Sequence, residues 1–203
     1  MIKIFDNIFS PEDEDLIEQE VLSQKYNSIN NLGALVNSIS NGDTLPILPQ
    51  DVSMGGDIKG PLQKYLRQIL KLTKTKSKIN FGAAKRWKIN KLSPINDPSV
   101  DKWGIHVDNF KPHYSLIYYV NDSDGDTIFY NDTLGDKFED WMSILGNNKD
   151  LSYWKENKRV SPKKGRLVIF DGRIFHKSTY PTTQDRYVIN FNVEISPKNT
   201  TLI

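Results

Sequence analysis

The sequence predicts a mainly β protein buttressed by helices at its N-terminal end, an α+β fold built around a sandwich or barrel. Apolar residues at helical spacing fall mostly in the first eighty or so positions, and from about residue 79 the chain breaks into short β-rich runs separated by turn residues. The scale fits: 203 residues, 37% hydrophobic and 26% charged, suit a single domain with a sizeable core. The expected division is residues 1–80 as helices and loops and residues 81–203 as the β core of one domain, 1–203.

The elements follow in order. Ser10-Pro11-Glu12-Asp13 reads as a helix start, with a capping hydroxyl, a proline in the first turn and acids at the positive end of the helix dipole. Leu16, Ile17, Glu20, Val21 and Leu22 make a loose stripe on that helix to about residue 24. Residues 27–60, rich in Asn, Gly, Ser and Pro, read as loops with a short helix near Leu32 to Val36. Leu62, Tyr65, Leu66, Ile69 and Leu70 predict a second helix from Pro61 to about Thr73. Strands are expected over 84–92, 114–120, 127–131, 166–170 and 186–195, with a helical insertion from Lys137 to Leu145.

Composition excludes several classes of function. The chain has no cysteine, so thiolate metal sites, disulfides and cysteine nucleophiles are ruled out. No run approaches the roughly 18 apolar residues of a membrane helix, and the N-terminal stretch lacks the apolar core of a signal peptide. A cytoplasmic protein is the expectation. The net charge of +2 conceals an asymmetry, since residues 12–20 carry six acids and residues 59–91 carry eleven Lys or Arg and no acid. Such runs are usually solvated faces; the sharper reading is a basic surface for an acidic partner, nucleic acid among them.

The chemistry centres on His106-Val107-Asp108. On a strand, residues two apart share a face, so an imidazole and a carboxylate can aim at one point. His176, beyond the apolar strand Arg166–Phe170 and a turn at Asp171-Gly172, is the natural third ligand. Two histidines and one carboxylate on one side of an ion leave open positions opposite, the facial arrangement of non-haem Fe(II) oxygenases. Ten residues on, Arg186 opens an alternating strand on which Asn190 and Asn192 share its side. A guanidinium aimed inward needs an anion, either a bound carboxylate or a protein acid such as Asp171 or Asp185.

In this pattern the sequence resembles the 2-oxoglutarate and Fe(II)-dependent dioxygenases, in particular their prolyl 4-hydroxylase-like branch. The resemblance runs in order through Phe5–Glu12, His106-Val107-Asp108, Ile117–Asn121, Asp124–Phe129, Pro162–Phe170 and His176 to Arg186. It implies a double-stranded β-helix, or jelly roll, with the triad at its mouth. It also implies Fe(II) on His106, Asp108 and His176, with 2-oxoglutarate and O2 as cosubstrates. Arg186 would hold the distal carboxylate of 2-oxoglutarate, Tyr119 matches a tyrosine that hydrogen-bonds it, and Asn190 stands where relatives have Thr or Ser assisting the arginine. Asn90 stands where relatives often place a tyrosine. His113 matches no ligand of the family, and Trp87, Trp103, Phe110 and Tyr130 are candidates for the mouth of the site or for the core.

The implied reaction is hydroxylation of an unactivated C–H bond coupled to conversion of 2-oxoglutarate to succinate. A prolyl residue of a peptide or protein is the expected target. The alternative is a nucleobase, nucleotide or nucleic acid drawn to residues 59–91, against which the nucleic-acid demethylating branch carries a second arginine where this chain has Asn192. A non-catalytic jelly-roll module would break the triad or lose the arginine. A cupin-like metal enzyme would add His or Glu ligands and would not need Arg186.

Overall fold

Alternation along one strand organises this molecule into layers. Strand β10 (Arg186–Ile195) turns Tyr187, Ile189, Phe191 and Val193 to one side and Arg186, Val188, Asn190 and Asn192 to the other. The computed structural model describes residues 1–24, 27–30, 49–54, 61–95, 104–109, 111–135 and 154–196. Besides β10 it contains β1 (Ile2–Phe5), α1 (Pro11–Leu22), β2 (Asn27–Asn30), β3 (Pro49–Met54), α2 (Pro61–Ser77), β4 (Phe81–Leu92), β5 (His113–Tyr119), β6 (Thr127–Thr133), β7 (Glu156–Val160), β8 (Leu167–Asp171) and β9 (Ile174–Ser178). A seven-stranded sheet runs β1-β8-β5-β10-β4-β3-β2 and a three-stranded sheet runs β7-β6-β9, every pairing antiparallel. This is the jelly-roll core with two helices outside it.

The large sheet is buried on both faces. On its outer face Leu116, Tyr118, Leu167, Ile169, Tyr187, Ile189 and Phe191 join Ile17 and Val21 of α1 and Leu62, Tyr65, Leu66 and Ile69 of α2 in one cluster. On its inner face Ile117, Tyr119, Val168, Phe170 and Val188 meet Phe129, Val160 and Ile174 of the other strands. Burial of each aliphatic side chain contributes about 1.5–3 kcal/mol. The outer cluster thus fixes the helices, and the inner one fixes the separation of the two sheets, which sets the site.

Helix α1 begins as its sequence predicts: Ser10 Oγ accepts from the Asp13 amide, Pro11 is the first residue, and Glu12, Asp13 and Glu14 fill the first turn. Its buried stripe is narrower than expected, because Leu16 and Leu22 are exposed while Glu14, Ile17 and Val21 face inward. Glu14 is admitted by Gly165, where a Cβ would lie 1.9 Å from the Glu14 carboxylate. Helix α2 continues one turn past Thr73 to Ser77.

Five strands depart from the sequence expectation, among them β9, which carries His176 and pairs with β6 where no strand was expected. β2 and β3 lie where loops were expected, because pairing of β3 onto β4 and of β2 onto β3 overrides the weak strand propensity of NSIN and PQDVSM. β1 pairs with β8 and brings the N-terminus into the large sheet. There Asp6 takes both Nε and Nη2 of Arg166 in a forked ion pair at 2.6 and 2.9 Å. β7, ENKRV, is an exposed edge strand whose charges hide it from a hydrophobic pattern. The helices expected near Leu32 to Val36 and Lys137 to Leu145, and the residues Trp103 and Phe110, lie outside the described residues.

Candidate metal and cosubstrate site

His106 and His176 are brought together by backbone pairing. Each amide donates to the other residue's carbonyl, His106 N to His176 O at 3.0 Å and His176 N to His106 O at 2.9 Å, an isolated antiparallel bridge beside β9. Directly opposed residues point to the same side of a ladder, and the two rings stand 4.6 Å apart. Asp108 completes the group, with Oδ1 4.0 Å from His106 Nε2 and Oδ2 3.9 Å from His176 Nε2. One ligand atom from each of the three residues lies within 4.8 Å of the others.

The donor set is prepared for a cation. His106 Nδ1 donates to the Gly104 carbonyl at 2.7 Å and His176 Nδ1 to the Ile174 carbonyl at 2.9 Å. Each ring therefore keeps the Nε2 lone pair for the centre of the group. Burial, then the neighbouring His106, pushes the His176 imidazolium down to about 4, so this ring is neutral at pH 7. Burial alone would raise the Asp108 carboxyl. His176, His106, Lys88 and the Ser115 hydroxyl outweigh it and hold the group well below the usual carboxylate range. His106 is the open side of the triad, its side chain 45% exposed, whereas those of His176 and Asp108 are buried.

Arg186 lies deep on the inner face, 1% exposed. Its Nη2 donates to Thr127 Oγ1 at 2.8 Å, and its guanidinium lies 5.4 Å from the centroid of the Tyr119 ring. Tyr119 also donates to Thr127 Oγ1, at 2.7 Å. The protein acids weighed as partners are engaged elsewhere, Asp185 with Lys91 at 3.2 Å and Asp171 with Arg173 at 3.5 Å. No carboxylate among the described residues lies within ion-pair distance of Arg186, and its Nε is buried without an acceptor. A buried cation with an orphan donor fits a bound dicarboxylate. Gly125 makes room for the arginine stem, since a Cβ there would meet Arg186 Cδ at 3.1 Å and the Thr179 carbonyl at 2.9 Å.

Strand register orders the inner wall into rungs. Val188 is flanked by Tyr119 and Asn90, Asn190 by Ile117 and Lys88, and Asn192 by Ser115 and Arg86. Asn90 faces inward beside the Arg186 end, with Oδ1 buried and unpartnered. Asn190 shares the face of Arg186 four residues away, a span of about 13 Å along the strand, with no hydrogen bond between the two side chains. Three residues absent from the sequence reading belong to this site: Thr127, Ser115 and the half-buried Lys88, whose charge reaches Asp108. Strand parity with Tyr119 could have found Ser115, and parity with Asn90 could have found Lys88. Trp87 instead packs on the helix side of the large sheet, and Tyr130 packs with Trp154 and Phe175 in a cluster against which Ile105 and Val107, on either side of His106, also pack.

The model of the 2OG-Fe(II) oxygenase superfamily matches residues 98–194, which include the triad and Arg186. No curated protein matches the sequence. Among solved structures, a prolyl-4-hydroxylase of Pseudomonas putida is similar with a TM-score of 0.60 and 12% identity over 96% of this chain and 92% of that one. A prolyl hydroxylase of Trichoplax adhaerens, in complex with a hypoxia inducible factor peptide fragment, has a TM-score of 0.61 and 15% identity over 100% and 87%. The non-haem alpha-ketoglutarate-dependent epimerase SnoN of nogalamycin biosynthesis has a TM-score of 0.63 and 10% identity over 95% and 78%. At such identities these structures speak for the fold. The stretch that holds the triad and Arg186 thus matches the 2OG-Fe(II) oxygenase superfamily, an oxidoreductase class whose chemistry the His-Asp-His group suits, on a fold like that of the prolyl hydroxylases.

Proposed function

We propose that this chain hydroxylates an unactivated C–H bond, that of a prolyl residue in a peptide or protein. In this reading His106, Asp108 and His176 hold Fe(II) through Nε2, a carboxylate oxygen and Nε2. Arg186 pairs with the distal carboxylate of 2-oxoglutarate. The observation that carries the site assignment is the buried Arg186 guanidinium, which lies over the Tyr119 ring, is tied to Thr127 and is left with an orphan Nε. Bound iron with 2-oxoglutarate and O2 supplies the oxidising chemistry.

The protein's own part is positional. The His106–His176 bridge sets the spacing of two donors, Ser115 steadies Asp108, and Tyr119 with Thr127 fixes the plane of the guanidinium. Asn90 Oδ1 and Asn190 offer polar groups along the wall between Arg186 and the triad. Asn90 and Asn190 are therefore assigned to the cosubstrate side of the site.

The prolyl target is supported by the order of the motifs along the chain and by the likeness to two prolyl hydroxylases, one of them solved with a peptide. The basic stretch favours nucleic acid less than its sequence suggests. Lys64, Arg67, Lys71, Lys74 and Lys76 sit on the exposed side of α2, which packs on the face of the large sheet opposite the triad, and of the same stretch Arg86 and Lys88 lie on the inner wall. Incubation with Fe(II), 2-oxoglutarate, O2 and either proline peptides or oligonucleotides tests the reading. The expected result is succinate release matched by a gain of one oxygen in a peptide, both abolished by Asp108→Ala. Oxygen gained only by oligonucleotides overturns the prolyl assignment, and succinate released at the wild-type rate by Asp108→Ala overturns the metal assignment.

A further inference from the structure

His113 is the histidine that matches no ligand, yet it is buried, 6% exposed, on the first residue of β5. Its surroundings are specific. Nδ1 lies 2.7 Å from the Lys111 carbonyl, which can only accept, so that nitrogen carries a proton. Nε2 is turned to Ser115 Oγ at 3.2 Å. Ser115, fully buried, donates its one proton to Asp108 Oδ2 at 2.6 Å, the shorter and charge-assisted of its two contacts. The turn after β8 is shaped around the ring: a Cβ at Gly172 would lie 2.0 Å from His113 Nε2, and the Gly172 amide donates to the His113 carbonyl at 3.0 Å.

We infer that His113 and Ser115 are positioning residues for the metal-ligand carboxylate, a chain His113–Ser115–Asp108 that fixes which way Asp108 faces. Ser115 alone can rotate its hydroxyl among three staggered wells. The His113 ring, clamped by the Lys111 carbonyl and by the space at Gly172, stands against one side of Ser115 and limits where its oxygen can sit; of the two acceptors then in reach, Nε2 at 3.2 Å and the charged Asp108 Oδ2 at 2.6 Å, the nearer carboxylate takes the proton. Oδ1, on the His106 side, is thereby presented to the cation. Second-layer partners of metal ligands commonly tune affinity by 10–100-fold. The inference rests on the metal reading of the triad and adds to it the role of two residues that touch no metal.

The test is equilibrium titration of the full chain with Co(II), read by its ligand-field absorption in place of Fe(II), alongside thermal melts without metal. Ser115→Ala weakens Co(II) about 10–100-fold, and Ser115→Cys, nearly isosteric with a weaker donor, falls between. His113→Leu and Gly172→Ala weaken it by at least about threefold. His113→Gln, whose side-chain carbonyl can take the place of Nε2 as an acceptor beside Ser115, stays within about threefold of wild type. The decisive measurement is the cycle: in the Ser115→Ala background, His113→Leu causes no further loss. Additive losses make His113 merely structural and overturn the relay, as does a Ser115→Ala protein that binds Co(II) like wild type. If wild-type binding is itself indifferent to His106→Ala, the metal reading fails first, and the two failures are thereby told apart.

Discussion

At the scale of single residues the site is marked by cations that, among the described residues, lie in no ion pair. Arg186 is one. Lys88 is the second: a half-buried ammonium on the inner face, opposite Asn190, close enough to Asp108 to help hold its carboxyl low. Burial, first of all, makes its proton easier to lose. A cation there repels a divalent metal and attracts an anionic cosubstrate. Replacing Lys88 by Met should tighten Co(II) binding by about 1 kcal/mol, roughly fivefold, and weaken 2-oxoglutarate binding by a similar factor. Two separate titrations check this, and unchanged affinities in both would show that the charge is not felt. His106, Asp108, His176 and Arg186 were legible in the sequence because their chemistry is uncommon and their spacing is short or regular. Thr127 was not, since a hydroxyl on a strand says nothing until its neighbour is known, and the parity that puts Ser115 on the face of Tyr119 does not show that it meets Asp108.

At the scale of elements, the capped start of α1 and the alternation of β10 could be read directly, because caps and period-two patterns are local. β2, β3 and β7 could not, because their pairing partners, not their own residues, make them strands. Glu14 shows another tertiary effect, an acid of the first helical turn drawn inward over Gly165 with Oε1 buried and unpartnered. Burial raises its carboxyl above the ordinary value, so folding disfavours the ionised form. The sign follows: with the folded value above the unfolded one, the penalty is absent at acid pH and grows as pH rises through that interval. Glu14→Gln should therefore raise the melting temperature at pH 7 and leave it unchanged near pH 4. A gain of equal size at both values would place the effect in packing instead of charge.

At the scale of the whole molecule, a jelly roll covered on one face by helices turns a single strand into a divider between two environments. Tyr187, Ile189 and Phe191 of β10 anchor the helices, while Arg186, Val188, Asn190 and Asn192 form the wall of the site. Stability and function thus occupy opposite faces of the same residues' backbone. The fold class was legible because the change from helical to strand periodicity near residue 79 survives in the structure, with β1, β2 and β3 as additions from the N-terminal part. The same division predicts that Arg186, the deepest group of the proposed site, is dispensable for folding. Arg186→Met removes a buried, unpaired charge, so the ligand-free variant should melt at or above the wild-type temperature. The measurement that tests the account most directly is anaerobic titration of the Fe(II)-loaded protein with 2-oxoglutarate, wild type against Arg186→Met. The account predicts saturable binding in the wild type and at least a hundredfold loss in a variant that remains folded. Equal affinity in the two proteins would contradict it.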